Sequence, residues 1–161
     1  MDTFNTILHF LHGWNRWLAI LTGVWALSLL LPGITGKKNF TPATRYSVVI
    51  FTGTVHLQIS LGVLTLIVIK LQGMAPFSGH TGTVWAHILG GVLAATFAAL
   101  AIRASKRAHT DLAKFRFTAL WSTLTLIFLE RWIESLILLG LLLLFQWVLS
   151  RLKNNSVLPA N

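Results

Sequence analysis

From Thr6 to Leu31 the chain carries a single charged residue, Arg16. A helix crossing the roughly 30 Å hydrocarbon core of a bilayer needs about 20 apolar residues in a row, and this stretch supplies them. Three more stretches of similar character follow. Within lipid, backbone N–H and C=O groups must be satisfied inside their own segment, so such runs read as helices. The chain is therefore expected to be all-α, an integral membrane helical bundle.

Composition supports the same reading. Hydrophobic residues make up 55% of the chain and charged residues 11%, with a mean hydropathy of +0.72. A water-facing domain carries about 25% charged residues. That deficit leaves too little charge to cover a solvated surface.

The formal net charge is +9, which raises nucleic acid as a partner. The basic residues, however, sit in short segments between apolar runs rather than on one face of a solvated domain. Nucleic acid is excluded on that ground, and the lipid bilayer is the expected partner. There is no cysteine, which excludes disulfides, thiol catalysis, iron–sulfur clusters and covalently attached haem. The first apolar run begins near Ile7 without a basic n-region, so it is expected to stay in the mature protein.

The first span is expected at about residues 6–31, stopped by Pro32-Gly33. Thr41-Pro42 is a helix start, with Thr41 as N-cap and Pro42 at the first helical position. The second span covers about 45–69 and ends at Lys70. The third covers about 83–102, and its Gly90-Gly91 pair and alanines permit close helix approach. The segment Arg103 to Arg116 reads as a polar, basic connection.

The run from Phe117 to Leu152 would be about 54 Å long as one helix at 1.5 Å per residue, well beyond the bilayer core. The cluster Glu130-Arg131-Trp132-Ile133-Glu134 lies at its midpoint. Two spans are expected, about 117–131 and 134–151, with a reversal at that cluster. The alternative is one very long, tilted or kinked helix. The expected fold is thus a four-helix core with a fifth C-terminal span, in one domain.

Lys37, Lys38 and Arg45 follow span one, and Arg103, Lys106, Arg107, Lys114 and Arg116 follow span three. The positive-inside rule puts both groups in the cytoplasm and the N-terminus outside. Five spans also return Arg151 and Lys153 to the inside. The bacterial inner membrane is the expected location.

Histidine is the unusual residue in these spans. His9 and His12 lie near the outer end of span one, His56 near the middle of span two, and His87 in the outer part of span three. Ionisable residues within spans are costly and usually face the bundle interior. A single such histidine is most simply a helix–helix hydrogen-bonding group. Four on three helices favour a cofactor site, because a non-covalent b-type haem takes two imidazoles from facing helices. Spacing does not choose the pair. Arg16 shares a face with His12 at i, i+4, where it suits a haem propionate; equally, it snorkels to headgroups beside Trp14 and Trp17. Gln58, two residues from His56, points elsewhere and suits a bond to a neighbouring helix.

The order His12-x-x-x-Arg16-Trp17-Leu18, His56-x-Gln58-x-x-x-Gly62, Val84-x-x-His87 and Arg103-x-Ser105-Lys106-x-Ala108-x-Thr110-Asp111-x-x-Lys114 resembles small bacterial four-helix membrane proteins described as cytochrome b-like. The resemblance covers roughly residues 8 to 132. It implies a four-helix bundle and a b-type haem, with His12, His56 and His87 as candidate iron ligands. His9 has no counterpart in that pattern, and the segment after about Glu134 looks like an addition.

No Walker A, HExxH, GxSxG or GxGxxG motif occurs, and no catalytic residue is assigned. The leading expectation is a haem b electron carrier between a quinone or partner and a respiratory or photosynthetic chain, an electron-transfer subunit without its own catalytic site. The alternative is a non-catalytic accessory subunit among other membrane subunits. A small transporter ranks last, because paired broken helices are not evident.

Overall fold

The computed structural model describes residues 2–36, 38–73 and 81–129, together with Gly140 and Gln146, both helical. Met1–Leu129 form one compact unit and Glu130–Asn161 a second. The first unit comprises α1 (Asp2–Leu30), a short 3-10 turn (Leu31–Gly33), α2 (Pro42–Leu71), α3 (Thr81–Arg107) and α4 (Asp111–Leu129). Among the described residues, four helices are long and apolar enough to cross a membrane. The expected reversal at Glu130–Glu134 and the fifth span at 134–151 lie outside the described residues.

Local chemistry explains the helix ends. Pro32 sits inside the 3-10 turn that closes α1, and Gly36 follows at φ +79°, a conformation that favours glycine. Thr41 is extended at ψ 160°, and its Oγ1 accepts a hydrogen bond from Thr44 N at 3.3 Å. Pro42 then occupies the first helical position, where its missing N–H costs nothing. α2 stops at Gln72, and Gly73 turns the chain away at φ +69°.

The basic segment 103–116 is largely helical rather than a connection. α3 runs to Arg107 because Ala-Ser-Lys-Arg continues a helix well once no apolar run is required. α4 starts at Asp111, six residues before the expected start at 117. The Thr110 hydroxyl caps it by accepting from Ala113 N at 3.2 Å, and Asp111 places a negative charge in the first turn. Only residues 108–110 remain as the turn.

The helices pack in the cyclic order α1–α2–α3–α4, with α4 returning to α1. α1 and α3 therefore stand diagonally across the bundle. Ala19, Ala26, Leu27 and Leu30 meet Val48, Phe51 and Val55, and α3 contributes Ala94, Ala98 and Ala101. Alanine on α3 matters because apolar surface gains nothing by leaving lipid. Association then depends on close packing between helices. Gly90 and Gly91 divide that work: a Cβ on Gly90 would lie 3.1 Å from Phe128 O on α4, and one on Gly91 would lie 3.1 Å from Ile59 on α2. Gly23 lets α1 fit between α2 and α4, since a Cβ there would lie 2.8 Å from Phe51 and 2.7 Å from Leu126.

Candidate functional site

Polar side chains form a seam between α1 and α2. Asn5 Nδ2 donates to Gln72 Oε1 at 3.4 Å, Asn15 Nδ2 donates to Thr54 O at 2.9 Å and to Gln58 Oε1 at 3.0 Å, and the Thr22 and Thr54 hydroxyls meet at 2.9 Å. At the centre of the seam, Gln58 Nε2 lies 3.2 Å from both ring nitrogens of His12. The His12 ring rests over Gly62, where a Cβ would lie 3.1 Å from Cε1. Glycine at 62 thus makes the room the ring uses.

The Thr54 carbonyl fixes the sense of the Asn15 and Gln58 amides. A backbone carbonyl only accepts, so the Asn15 group facing Thr54 O is the NH2. Its second hydrogen points at Gln58, which must present Oε1. Gln58 therefore turns its NH2 to His12, and the nitrogen that accepts carries a lone pair. A neutral ring has one such nitrogen, so one of the two 3.2 Å contacts is the hydrogen bond. Asn15 Oδ1 is buried and makes no hydrogen bond among the described residues.

His87 on α3 completes the group. Its ring centroid lies 6.2 Å from that of His12, with the planes at 78°. Two diagonal helices thus bring imidazoles together across the bundle. His12 is half-buried and His87 exposed.

The remaining expected residues lie around or away from this pair. His9 is exposed, three residues before His12, and interacts with it electrostatically. Arg16 is half-buried, with its guanidinium carbon 5.6 Å from the Trp17 ring centroid. His56 is separate. Gly62 of α2 sits level with His12, and the contacts Thr52–Ala98 and Ile59–Gly91 put His87 level with about Val63. His56 is six to seven residues from that level, about 9–10 Å along the helix. It is exposed, and its Nδ1 donates to Thr52 O at 2.9 Å, which leaves Nε2 with the lone pair. His80 lies outside the described residues.

Asn15 was not among the expected site residues, although it is what fixes the orientation of Gln58. Its signal was available: an amide three residues after His12, on the same helix face, in an otherwise apolar run. Asp111 pairs locally, with Lys114 at 3.0 Å.

Chemically, the site offers two imidazoles. Among the described residues no three His, Cys, Asp or Glu side chains gather to hold a metal ion. A zinc site takes three or four protein ligands. A haem iron already has its four macrocycle nitrogens and needs only two imidazoles from the protein. No family model, curated protein or solved structure matches the chain.

Proposed function

We propose that this chain is a multi-pass membrane protein that holds a b-type haem between His12 and His87 and passes electrons between a quinone or protein partner and a respiratory or photosynthetic chain. The observation that carries this reading is the approach of the two rings across the bundle diagonal. With metal–nitrogen bonds of about 2 Å, two imidazoles on one ion stand about 6 Å apart centre to centre. The observed 6.2 Å suits that separation. The haem would supply a one-electron iron couple.

The chain's own residues set conditions on that binding. His12 offers its lone pair either to the Gln58 amide or to iron. Ligation therefore requires Gln58 to release the ring or to turn its carbonyl toward it, the arrangement typical of metal-bound histidine. Arg16, one turn from His12, would meet a propionate. His56 is already in a ligand-type tautomer but lacks an imidazole at its own level among the described residues.

Membrane insertion belongs to the same proposal. Trp14, Trp17, Leu21 and Trp85 are exposed, each by more than half, which suits lipid rather than water. The bacterial inner membrane, with the N-terminus outside and the basic turns inside, fits the positive-inside rule. The cytochrome b-like family remains the resemblance that agrees with it.

The test is a dithionite-reduced minus air-oxidised spectrum of detergent-purified protein expressed with ample haem. Sharp bands of a six-coordinate b-type haem are expected, lost in both His12→Ala and His87→Ala and kept in His56→Ala. Bands that survive both of the first two substitutions would sink the assignment. A flat spectrum would favour the second reading, an accessory subunit, for which the exposed α1 stripe of Phe10, Trp14, Leu21 and Trp25 is the natural contact face.

A further inference from the structure

At the opposite end of the bundle, α3 and α4 enclose a groove of about 470 Å³ beside the turn 108–110. Leu100 and Ala104 lie one turn apart on its α3 wall, and Phe117 and Trp121 one turn apart on its α4 wall. The groove is mostly apolar, with His109 and Thr110 lining it at the turn. Arg103 and Arg107, also one turn apart, stand at its rim with exposed side chains.

The local charge is one-sided. Asp111 is the only acid near this turn among the described residues, and it is engaged twice: Oδ2 accepts from Phe40 N at 3.0 Å, and Oδ1 pairs with Lys114 Nζ at 3.0 Å. Arg103 and Arg107 make no hydrogen bond or ion pair among the described residues. Two guanidiniums without an internal anion, over an apolar trough between two membrane-length helices, match a ligand with a negative head and a long apolar tail.

We infer that this groove binds an anionic phospholipid, with the phosphate held by Arg103 and Arg107 and an acyl chain laid between Leu100–Ala104 and Phe117–Trp121. Arginine suits the head because its fork meets two phosphate oxygens at once. The small Ala104 leaves the trough open next to the rim, and the aromatic pair supplies the deeper wall. Basic pockets between helices on the cytoplasmic side are where anionic headgroups bind. The site rests on the membrane reading but not on haem.

Native mass spectrometry of the detergent-purified full chain tests it, with phosphatidylglycerol and phosphatidylcholine of identical acyl chains. The wild type is expected to retain the anionic lipid about tenfold more than the zwitterionic one, given the strength of basic residues near anionic headgroups. Arg103→Gln/Arg107→Gln should abolish that preference and leave phosphatidylcholine retention unchanged. Lys38→Gln/Lys106→Gln removes the same charge from exposed positions outside the groove and should keep the preference. Ala104→Phe, which fills the trough, should lower retention of both lipids. Equal loss of preference in the two charge-matched doubles would reduce the effect to overall charge and overturn the site. Resistance of liposome-reconstituted protein to alkaline carbonate extraction reads membrane insertion separately. An inserted protein with no anionic preference overturns the groove alone; an extractable one overturns the membrane reading itself.

Discussion

Gln58 faces His12 with its amide nitrogen, at 3.2 Å, and faces Asn15 with its oxygen, at 3.0 Å. The direction follows from Thr54 O, which accepts only and so turns the Asn15 NH2 toward Gln58. Three side chains from two helices are thereby ordered in one sense, and His12 is held as a hydrogen-bond acceptor. The same nitrogen lone pair is what a metal would use. In the proposed haem site, helix packing and ligation would therefore compete for one atom.

Gln58→Leu separates the two roles. It leaves Asn15 with one acceptor and His12 without a donor. Interhelical hydrogen bonds of this kind contribute about 0.6 kcal/mol on average in a membrane protein, so a loss of about 1 kcal/mol is expected. Thermal unfolding in detergent measures it. Haem retention should be equal to or above that of the wild type, because the competing bond has gone. Loss of haem to the level of His12→Ala would show that Gln58 supports ligation rather than opposing it.

Gly62 and Gly53 on α2 make a matched pair. A Cβ at Gly62 would lie 3.1 Å from His12 Cε1, whereas one at Gly53 would meet nothing within 4 Å. Replacing a helical glycine by alanine without a clash stabilises by about 0.5–1 kcal/mol, and Gly53→Ala should gain that. Gly62→Val should instead push the ring off α2, lower the melting temperature and weaken the reduced haem bands. If Gly62→Val kept both wild-type stability and spectrum, the ring would not depend on that space.

The four helices were legible because length and apolarity alone mark a bilayer-length run, and Thr41-Pro42 marked a start that the Thr41–Thr44 cap now explains. The third and fourth helices extend beyond their apolar runs into the basic segment. Charge in 103–116 looked like a loop, but Lys, Arg and Ala extend helices as readily as they solvate turns. The histidines were legible as a set and not as a pair. Whether His12 reaches His87 or His56 depends on how the antiparallel helices slide past one another. That register is set by contacts such as Gly62 under His12 and Gly91 beside Ile59, which are distant in sequence. Asn15 is less legible, because an amide in an apolar run carries no charge to mark it.

Asp111 joins the start of α4 to the segment before α2 through its bond from Phe40 N at 3.0 Å. The Phe40 and Phe115 rings, 5.0 Å apart, and Lys114 over the Phe40 ring brace the same joint. Asp111→Ala removes the acceptor, so the Phe40 amide should exchange hydrogen markedly faster, while amides in the middle of α2 stay protected. Asp111→Asn keeps an oxygen for Phe40 N and should restore most of the protection. Unchanged exchange in Asp111→Ala would mean that the ring contacts alone hold the segment.

Gly33 and Phe115 test the packing at that same end. The Phe115 ring is 1% exposed and occupies the place where a Cβ on Gly33 would go. Gly33 lies in the 3-10 turn closing α1, so any side chain there drives α1 and α4 apart. Gly33→Ala should destabilise by about 1–3 kcal/mol, the usual range for overpacking a tight interior. Phe115→Leu alone removes ring volume and leaves a void, which also destabilises. Combined, the smaller side chain makes room for the added methyl group, so the double variant should be more stable than the sum of the two losses. A double-mutant cycle on melting in detergent measures that difference. Additive losses would place the strain of Gly33→Ala in the 3-10 turn itself and not in its contact with Phe115.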